Sequence, residues 1–283
     1  MAIIAFLGTG LLGAAFAEAA AKRGDSVTVW NRSAPKAQAL ARFGIAVAAT
    51  PAEAVRGAAR VHIVLKDDAV VDAIIAAAQP GLAADAVIVD HSTTLPKLTA
   101  ARAASLAAAG QKFLHCPVFM TPLMARNAKG SMLAAGPAAV FEAVQADLAA
   151  MTGRLEYQGG RSDLAAAKKL FGNALIISLS AAMADVLTLA RASDVAGQDA
   201  IKLMELLDLN GMVATRGANM ARGDFTPSFE LAMARKDVGL MLATAGARPL
   251  ALLPGIAARM DQLLAAGHGA ADASVIAIDA VSQ

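Results

Sequence analysis

Ile3-Ile4-Ala5-Phe6-Leu7-Gly8-Thr9-Gly10-Leu11-Leu12-Gly13 is the stretch on which the fold turns. An apolar run, Ala2–Leu7, feeds three glycines in a G-x-G-x-x-G register, and an alanine-rich stretch, Leu11–Arg23, follows. The glycine string alone is a weak signal. Its place between a strand and a helix makes it a dinucleotide-binding turn, with Gly8, Thr9, Gly10, Leu11, Leu12 and Gly13 as candidate residues. Gly8 permits the tight turn, Gly10 lets the backbone approach a pyrophosphate, and Gly13 lets helix and strand pack closely. The helix start offers unpaired N–H groups and a positive dipole end to the phosphates.

Outward from that turn, short apolar runs alternate with helical stretches. Strands are expected at Ala2–Leu7, Ser26–Trp30, Val61–Leu65, Ala86–Asp90, Lys112–Cys116 and Ser131–Ala135. Helices are expected at Leu11–Arg23, Ala34–Phe43, Pro51–Gly57, Ala69–Ala77 and Pro96–Ala109. This alternation predicts an α/β Rossmann domain with a doubly wound parallel sheet. After Gly159-Gly160 the pattern becomes helical throughout: a long helix from about Ser162 to Ala190, then Gln198–Leu207, Gly211–Ala221, Phe229–Ala245 and Pro249–Ala266. The expected division is a dinucleotide-binding domain over 1–160 and an all-α C-terminal domain over 161–283, joined by the long interdomain helix.

The second strand carries the choice of nicotinamide cofactor. An NAD site usually ends it with a carboxylate for the ribose 2′-hydroxyl. Here it ends Val27-Thr28-Val29-Trp30-Asn31-Arg32-Ser33, without one. Arg32 can pair with a 2′-phosphate, and Asn31 and Ser33 add donors, so NADP(H) is the expected cofactor. A solvated surface arginine is the competing reading.

Composition narrows the classes. The 283 residues carry 25 basic and 23 acidic side chains, a net charge of +2, which gives no electrostatic case for nucleic acid or a membrane surface. One cysteine, Cys116, excludes an internal disulfide and fits a cytoplasmic setting. Mean hydropathy is high, at +0.53. The uncharged run Leu170–Ala184 is nevertheless too short to span a bilayer, and Met1–Ala17 lacks a basic leader. Buried alanine-rich helices are the expected explanation.

Residue types then exclude mechanisms. A short-chain dehydrogenase needs Tyr and Lys four apart, but the single tyrosine, Tyr157, has Arg161 at that spacing. Cys116, His62, His91, His115 and His268 show no metal-ligand spacing, so no metal is expected. Lys168-Lys169-Leu170-Phe171-Gly172-Asn173 remains. Lys169 and Asn173, at i and i+4, share one helix face. Such a lysine can exchange a proton with a carbonyl oxygen that receives hydride. On spacing alone, a solvated lysine pair at a helix start is the simpler reading.

At this point the chain resembles the β-hydroxyacid dehydrogenase family, the group of 3-hydroxyisobutyrate dehydrogenase, over nearly its whole length. Phe6–Gly13 looks like the family's cofactor turn and Val64-Leu65-Lys66-Asp67 like its loop after the fourth strand. Asp90-His91-Ser92-Thr93-Thr94-Leu95-Pro96 is similar to its D-x-S-T-x-x-P segment. The resemblance implies Leu65, Lys66, Ser92, Thr93 and Lys236 at the cofactor. It implies Lys169 as the catalytic lysine, Asn173 as a substrate-binding asparagine, and Phe229 and Asp237 at a pocket in the cleft between the domains. It also implies a homodimer, which the apolar stretch Leu175–Leu189 fits.

One segment departs from that pattern. Where the family resembles Asp-Ala-Pro-Val-Ser-Gly-Gly, this chain reads His115-Cys116-Pro117-Val118-Phe119-Met120-Thr121. Either Phe119 and Met120 shrink and dry a carboxylate pocket, or they pack the strand end and leave backbone N–H groups to bind an anion. The expected substrate is a small carbonyl or hydroxyacid. The alternative is an imine, because imine reductases share the architecture and a V-T-V-W-N-R strand end while generally lacking the lysine. A third reading, an NADP-binding sensor module, would suit a chain without Lys169 and Asn173.

Overall fold

The structure is a computed structural model and describes residues 2–281. By contacts the chain divides after Asn173 into two compact units. That division falls inside the long helix, whereas the change in sequence pattern lies near Gly160.

The first unit is built on six parallel strands: β1 (Ile3–Leu7), β2 (Ser26–Trp30), β3 (Ala46–Val47), β4 (Arg60–Ile63), β5 (Val87–Asp90) and β6 (Lys112–His115). Their order is β3-β2-β1-β4-β5-β6, the doubly wound Rossmann order expected from the alternation. The strand order reverses at β1/β4, which opens a crevice at the carboxyl ends of the strands. Both faces are buried. In β1, Ile4 and Phe6 enter one apolar cluster and Ala5 and Leu7 the other. In β5, Val87 and Val89 are likewise separated from Ile88.

Ser131–Ala135 does not extend this sheet as its spacing predicts. It forms β8 (Ser131–Ala134) of a second sheet, antiparallel to β7 (Val118–Phe119) and parallel to β9 (Arg154–Tyr157). A single bridge, His115 to Ala135, links it to the first sheet. Pro117 lacks the N–H that would continue the β6 ladder, so the chain leaves the sheet there. The two-residue strands β3 and β7 are too short for periodicity to show, and helices Pro122–Arg126 and Ala138–Ala149 were also not expected.

Among the described residues of the second unit every element is helical. The long helix, Ser162–Ala192, runs into it, followed by Gly197–Lys202, Leu209–Arg222, Leu231–Ala245, Leu253–Ala265 and Ile278–Val281. Leu231, Ala234 and Val238 lie on one helix face and pack with Ala257, Met260 and Leu263. The Asp185 carboxylate accepts N–H bonds from Ala251, Leu252 and Leu253 and so caps the helix Leu253–Ala265. Taken as a helix rather than as an uncharged run, Ser162–Ala192 is long and apolar enough to cross a membrane by length and composition. The uncharged run stops at Asp185, whereas the helix continues past it to Ala192.

Candidate active site

The three glycines of the turn have different physical reasons. Gly8 has φ +102°, and a Cβ there would strike the Val64 carbonyl oxygen. A Cβ on Gly13 would strike the Gly8 carbonyl oxygen. Both are required by the polypeptide itself. Gly10, at φ −66°, has nothing within 4 Å of its absent Cβ. Open space there is what a bound pyrophosphate would use. Among the described residues, the helix that Gly10 opens has no side-chain cap and the buried Thr9 hydroxyl has no hydrogen-bond partner. Leu11 is exposed, whereas Leu12 packs on the core.

The same crevice continues past Trp30 to Asn31, Arg32, Ser33 and Lys36, and is walled by Val64, Leu65 and Lys66. Asn31 is committed to the backbone: Oδ1 accepts the Thr9 N–H at 3.0 Å and Nδ2 donates to the Ser33 carbonyl at 3.0 Å. It shapes the site rather than supplying a free donor. Arg32 and Lys36 make no ion pair or side-chain hydrogen bond with the described residues. Lys36 escaped the sequence reading, although it lies just inside the helix that follows Arg32 and Ser33.

A buried polar chain sets the loops after β4 and β5. Asp90 accepts the Ser92 N–H at 2.9 Å, and Ser92 Oγ accepts the Leu65 N–H at 3.0 Å. Asp68 accepts the Leu95 N–H at 2.9 Å and pairs with Arg102 at 2.9 Å. Arg102 also reaches Asp72 at 2.5 Å and faces Asp90 at 3.7 Å. Burial pushes the Asp90 carboxyl up, but His115 and the Ser92 hydrogen bonds outweigh it and hold the group below the usual carboxylate range. Lys66 is exposed and pairs with Asp67 at 2.9 Å. Thr93 is exposed beside this chain.

Two adjacent lysines at the start of the long helix have opposite surroundings. Lys168 is exposed and donates to Gln158 Oε1 at 2.5 Å. Lys169 is 9% exposed and makes no hydrogen bond or ion pair with the described residues. Its Nζ lies 4.0 Å from the centroid of the Phe119 ring. Burial lowers its pKa below the ordinary lysine value. Asn173, one turn on, is half-buried, and its side-chain amide has no partner among the described residues. Thr121 is engaged as the N-cap of Pro122–Arg126, accepting the Met124 N–H at 3.3 Å. Met120 packs on the core beside it. A Glu18–Arg126 pair at 2.8 Å ties this short helix to Leu11–Lys22.

Residues 3–159 match the profile of the NAD binding domain of 6-phosphogluconate dehydrogenase. The chain is 30% identical to 3-sulfolactaldehyde reductase of Escherichia coli (strain K12), across 98% of this chain and 95% of that protein. The chain belongs to the β-hydroxyacid dehydrogenase family. It is an NAD(P)-dependent oxidoreductase. The chain is also 27% identical to glyoxylate/succinic semialdehyde reductase 1 of Arabidopsis thaliana, over 85% of this chain and 84% of that protein. An imine reductase from Myxococcus stipitatus, solved in complex with NADP+, superposes with a TM-score of 0.88 at 20% identity, covering 97% and 98% of the two chains. At that identity the likeness speaks for the fold alone.

The residues of this oxidoreductase fit a dinucleotide: open space at Gly10, an orphaned hydroxyl at Thr9 and two cations, Arg32 and Lys36, without an ion pair among the described residues. The remaining expected site residues lie in the second unit. Phe229 is 40% exposed, and its backbone N–H is held by Asp272 at 3.1 Å. Lys236 and Asp237 form an exposed pair at 2.9 Å. Among the described residues no three His, Cys, Asp or Glu side chains gather as a metal site. His62, His91 and His115 are buried in the first unit, and burial pushes the Cys116 thiol up, away from thiolate chemistry.

Proposed function

We propose that this enzyme uses NADP(H) to interconvert a small carbonyl and its alcohol, with Lys169 as the acid–base group. One observation carries the reading: of two neighbouring lysines, only Lys169 is buried with all its N–H donors uncommitted. NADPH, when bound, supplies the hydride. Lys169 gives a proton to the carbonyl oxygen as negative charge develops on it, and takes that proton back in the oxidative direction. A lowered pKa brings the lysine nearer to working pH and makes it a better acid. Asn173 is assigned to orient the substrate oxygen, and Phe119, Met120, Thr121, Phe229 and Asp237 are assigned to the substrate.

Arg32 and Lys36 are assigned to the 2′-phosphate. Gly8–Gly13, Leu65, Lys66, Ser92, Thr93 and Lys236 are assigned to the rest of the dinucleotide. Residues 1–160 then form the NADP-binding domain and 161–283 the helical substrate and dimerisation domain. The apolar, exposed side chains of the long helix support a homodimer. The lone cysteine suits the reducing cytoplasm.

Lys169→Ala tests the chemistry. NADPH oxidation with glyoxylate and with succinic semialdehyde should fall by about 10²–10⁴-fold. Full retained activity would overturn the assignment. The apolar Phe119 ring beside Lys169 favours one second reading, reduction of a small cyclic imine. Turnover of 1-pyrroline with no turnover of either aldehyde would establish it in place of the first.

A further inference from the structure

A buried lysine ammonium usually rests against a carboxylate or a carbonyl, because burial disfavours its charge. Lys169 has neither among the described residues, and burial pulls its pKa down. What faces it is an aromatic ring: Phe119, with its centroid 4.0 Å from Nζ. That lies within the roughly 6 Å over which a ring face attracts a cation. The ring can sit there because Gly172 has no side chain. A Cβ on Gly172 would fall inside contact distance of Cζ and Cε1 of Phe119. Lys169 and Gly172 are i and i+3, neighbours on one helix face. Glycine inside a helix is disfavoured relative to alanine, so the ring gives Gly172 a physical reason.

The ring is itself held. Phe119 pairs with Ser131 across the β7–β8 ladder, and two residues later Thr121 caps the next helix. We propose that Phe119, admitted by Gly172, is a positioning residue for Lys169: it fixes the ammonium through its ring face and leaves every N–H free for a substrate. A carboxylate in the same place would hold the charge but consume the donors. The functional consequence rests on Lys169 being the acid–base group, whereas the contact itself does not.

The test needs no substrate. The full-length protein is labelled with trace acetic anhydride across a pH series, and acetylation of Lys169 is quantified by mass spectrometry. Phe119→Leu keeps apolar bulk but removes the ring face, so the apparent pKa of Lys169 should fall by roughly 0.5 to 1 unit. Gly172→Ala should produce the same shift by displacing the ring. It should add nothing in the Phe119→Leu background, because leucine ends short of the contested space. Unchanged labelling in both single variants, or fully additive shifts, overturns the proposal. In parallel, the pH profile of succinic semialdehyde reduction should move in the same direction in Phe119→Leu, with KM for NADPH unchanged. Should Lys169→Ala retain full activity while the labelling shifts appear, the acid–base reading fails and the positioning contact stands.

Discussion

Asn31 joins the end of β2 to the glycine turn: its Oδ1 accepts the Thr9 N–H at 3.0 Å while its Nδ2 donates to the Ser33 carbonyl. One side chain therefore shapes both the glycine turn and the loop that carries Arg32. Its loss should not discriminate between cofactors. Asn31→Ala is expected to weaken NADPH and NADH alike, by about 1–2 kcal/mol for two neutral hydrogen bonds, or roughly 5- to 30-fold in Kd. Arg32→Ala and Lys36→Ala should instead fall on NADPH alone. Arg32→Ala should lower the NADPH-to-NADH ratio of kcat/KM about 10- to 100-fold, since a bond to a charged partner is worth about 1.5–3 kcal/mol. Fluorescence titration and paired kinetics with both cofactors read the contrast. An unchanged ratio in Arg32→Ala removes the NADP(H) assignment.

The glycines of the turn should separate by the same logic. Gly8→Ala puts a side chain at φ +102° and against the Val64 carbonyl, and Gly13→Ala drives one into the Gly8 carbonyl. Each is expected to destabilise the fold by about 1–3 kcal/mol and to lower Tm. Gly10→Ala meets nothing in the polypeptide. It should leave Tm within a degree or two while raising Kd for both dinucleotides at least tenfold. Thermal melts with and without NADPH check this. A Tm loss in Gly10→Ala equal to that in Gly8→Ala would show that the open space is not a ligand cradle.

These two cases also show what the sequence made legible. The glycine register and the apolar strands announced β1, β2, β4, β5 and β6 because buried parallel strands need apolar runs and the turn needs glycine. Lys36 stayed hidden because a lysine on a short helix has no pattern of its own. The role of Asn31 depends on an amide oxygen meeting the N–H of Thr9, a contact that sequence spacing cannot show. Spacing set Lys169 on one face with Asn173 but left a solvated lysine pair as the simpler reading. Burial tells the two lysines apart, beside a ring fifty residues earlier in the chain. The departure at Phe119 left two readings open, a dried carboxylate pocket or a packed strand end, and neither involved the contact with Gly172 and Lys169.

A buried histidine pair makes the fold acid-sensitive. His91 Nδ1 lies 2.7 Å from the Cys116 carbonyl oxygen, so that nitrogen carries the proton, and its Nε2 accepts from His62 Nδ1 at 2.9 Å. His62 Nε2 is buried without a partner among the described residues. Both rings are therefore neutral: burial pushes His91 down to about 4 and holds His62 well below its ordinary value of 6.5. Below pH 6.5 the unfolded chain takes up protons that the folded chain refuses, so stability falls as pH drops toward 4. The expected loss is about 2 kcal/mol per histidine between pH 7 and pH 5. Urea unfolding at both pH values should show it, and the slope should flatten in the double variant His62→Phe, His91→Leu. Equal slopes in both proteins would mean that the pair titrates normally.

The long helix Ser162–Ala192 leaves Leu175, Ile176 and Ile177 each more than half exposed. Three consecutive residues point in directions about 100° apart, so no single amphipathic stripe accounts for them. Such a surface needs a cover, and two covers are available in principle: lipid or a second copy of the chain. Further along the same helix, Asp185 gives its carboxylate to three backbone N–H groups of residues 251–253, a contact with polypeptide rather than with lipid. A lipid-spanning helix would have to carry that carboxylate and its capped loop into the hydrocarbon, at a cost of several kcal/mol. A second copy requires nothing of the kind. The protein should therefore scatter light in detergent-free buffer as a particle of twice its 28.6 kDa chain mass. Ile177→Asp should break that particle into monomers or aggregates, because a charge cannot be left unpaired in an apolar interface. Extraction only with detergent, together with no doubled mass in buffer, would transfer the helix to the membrane and overturn the dimer.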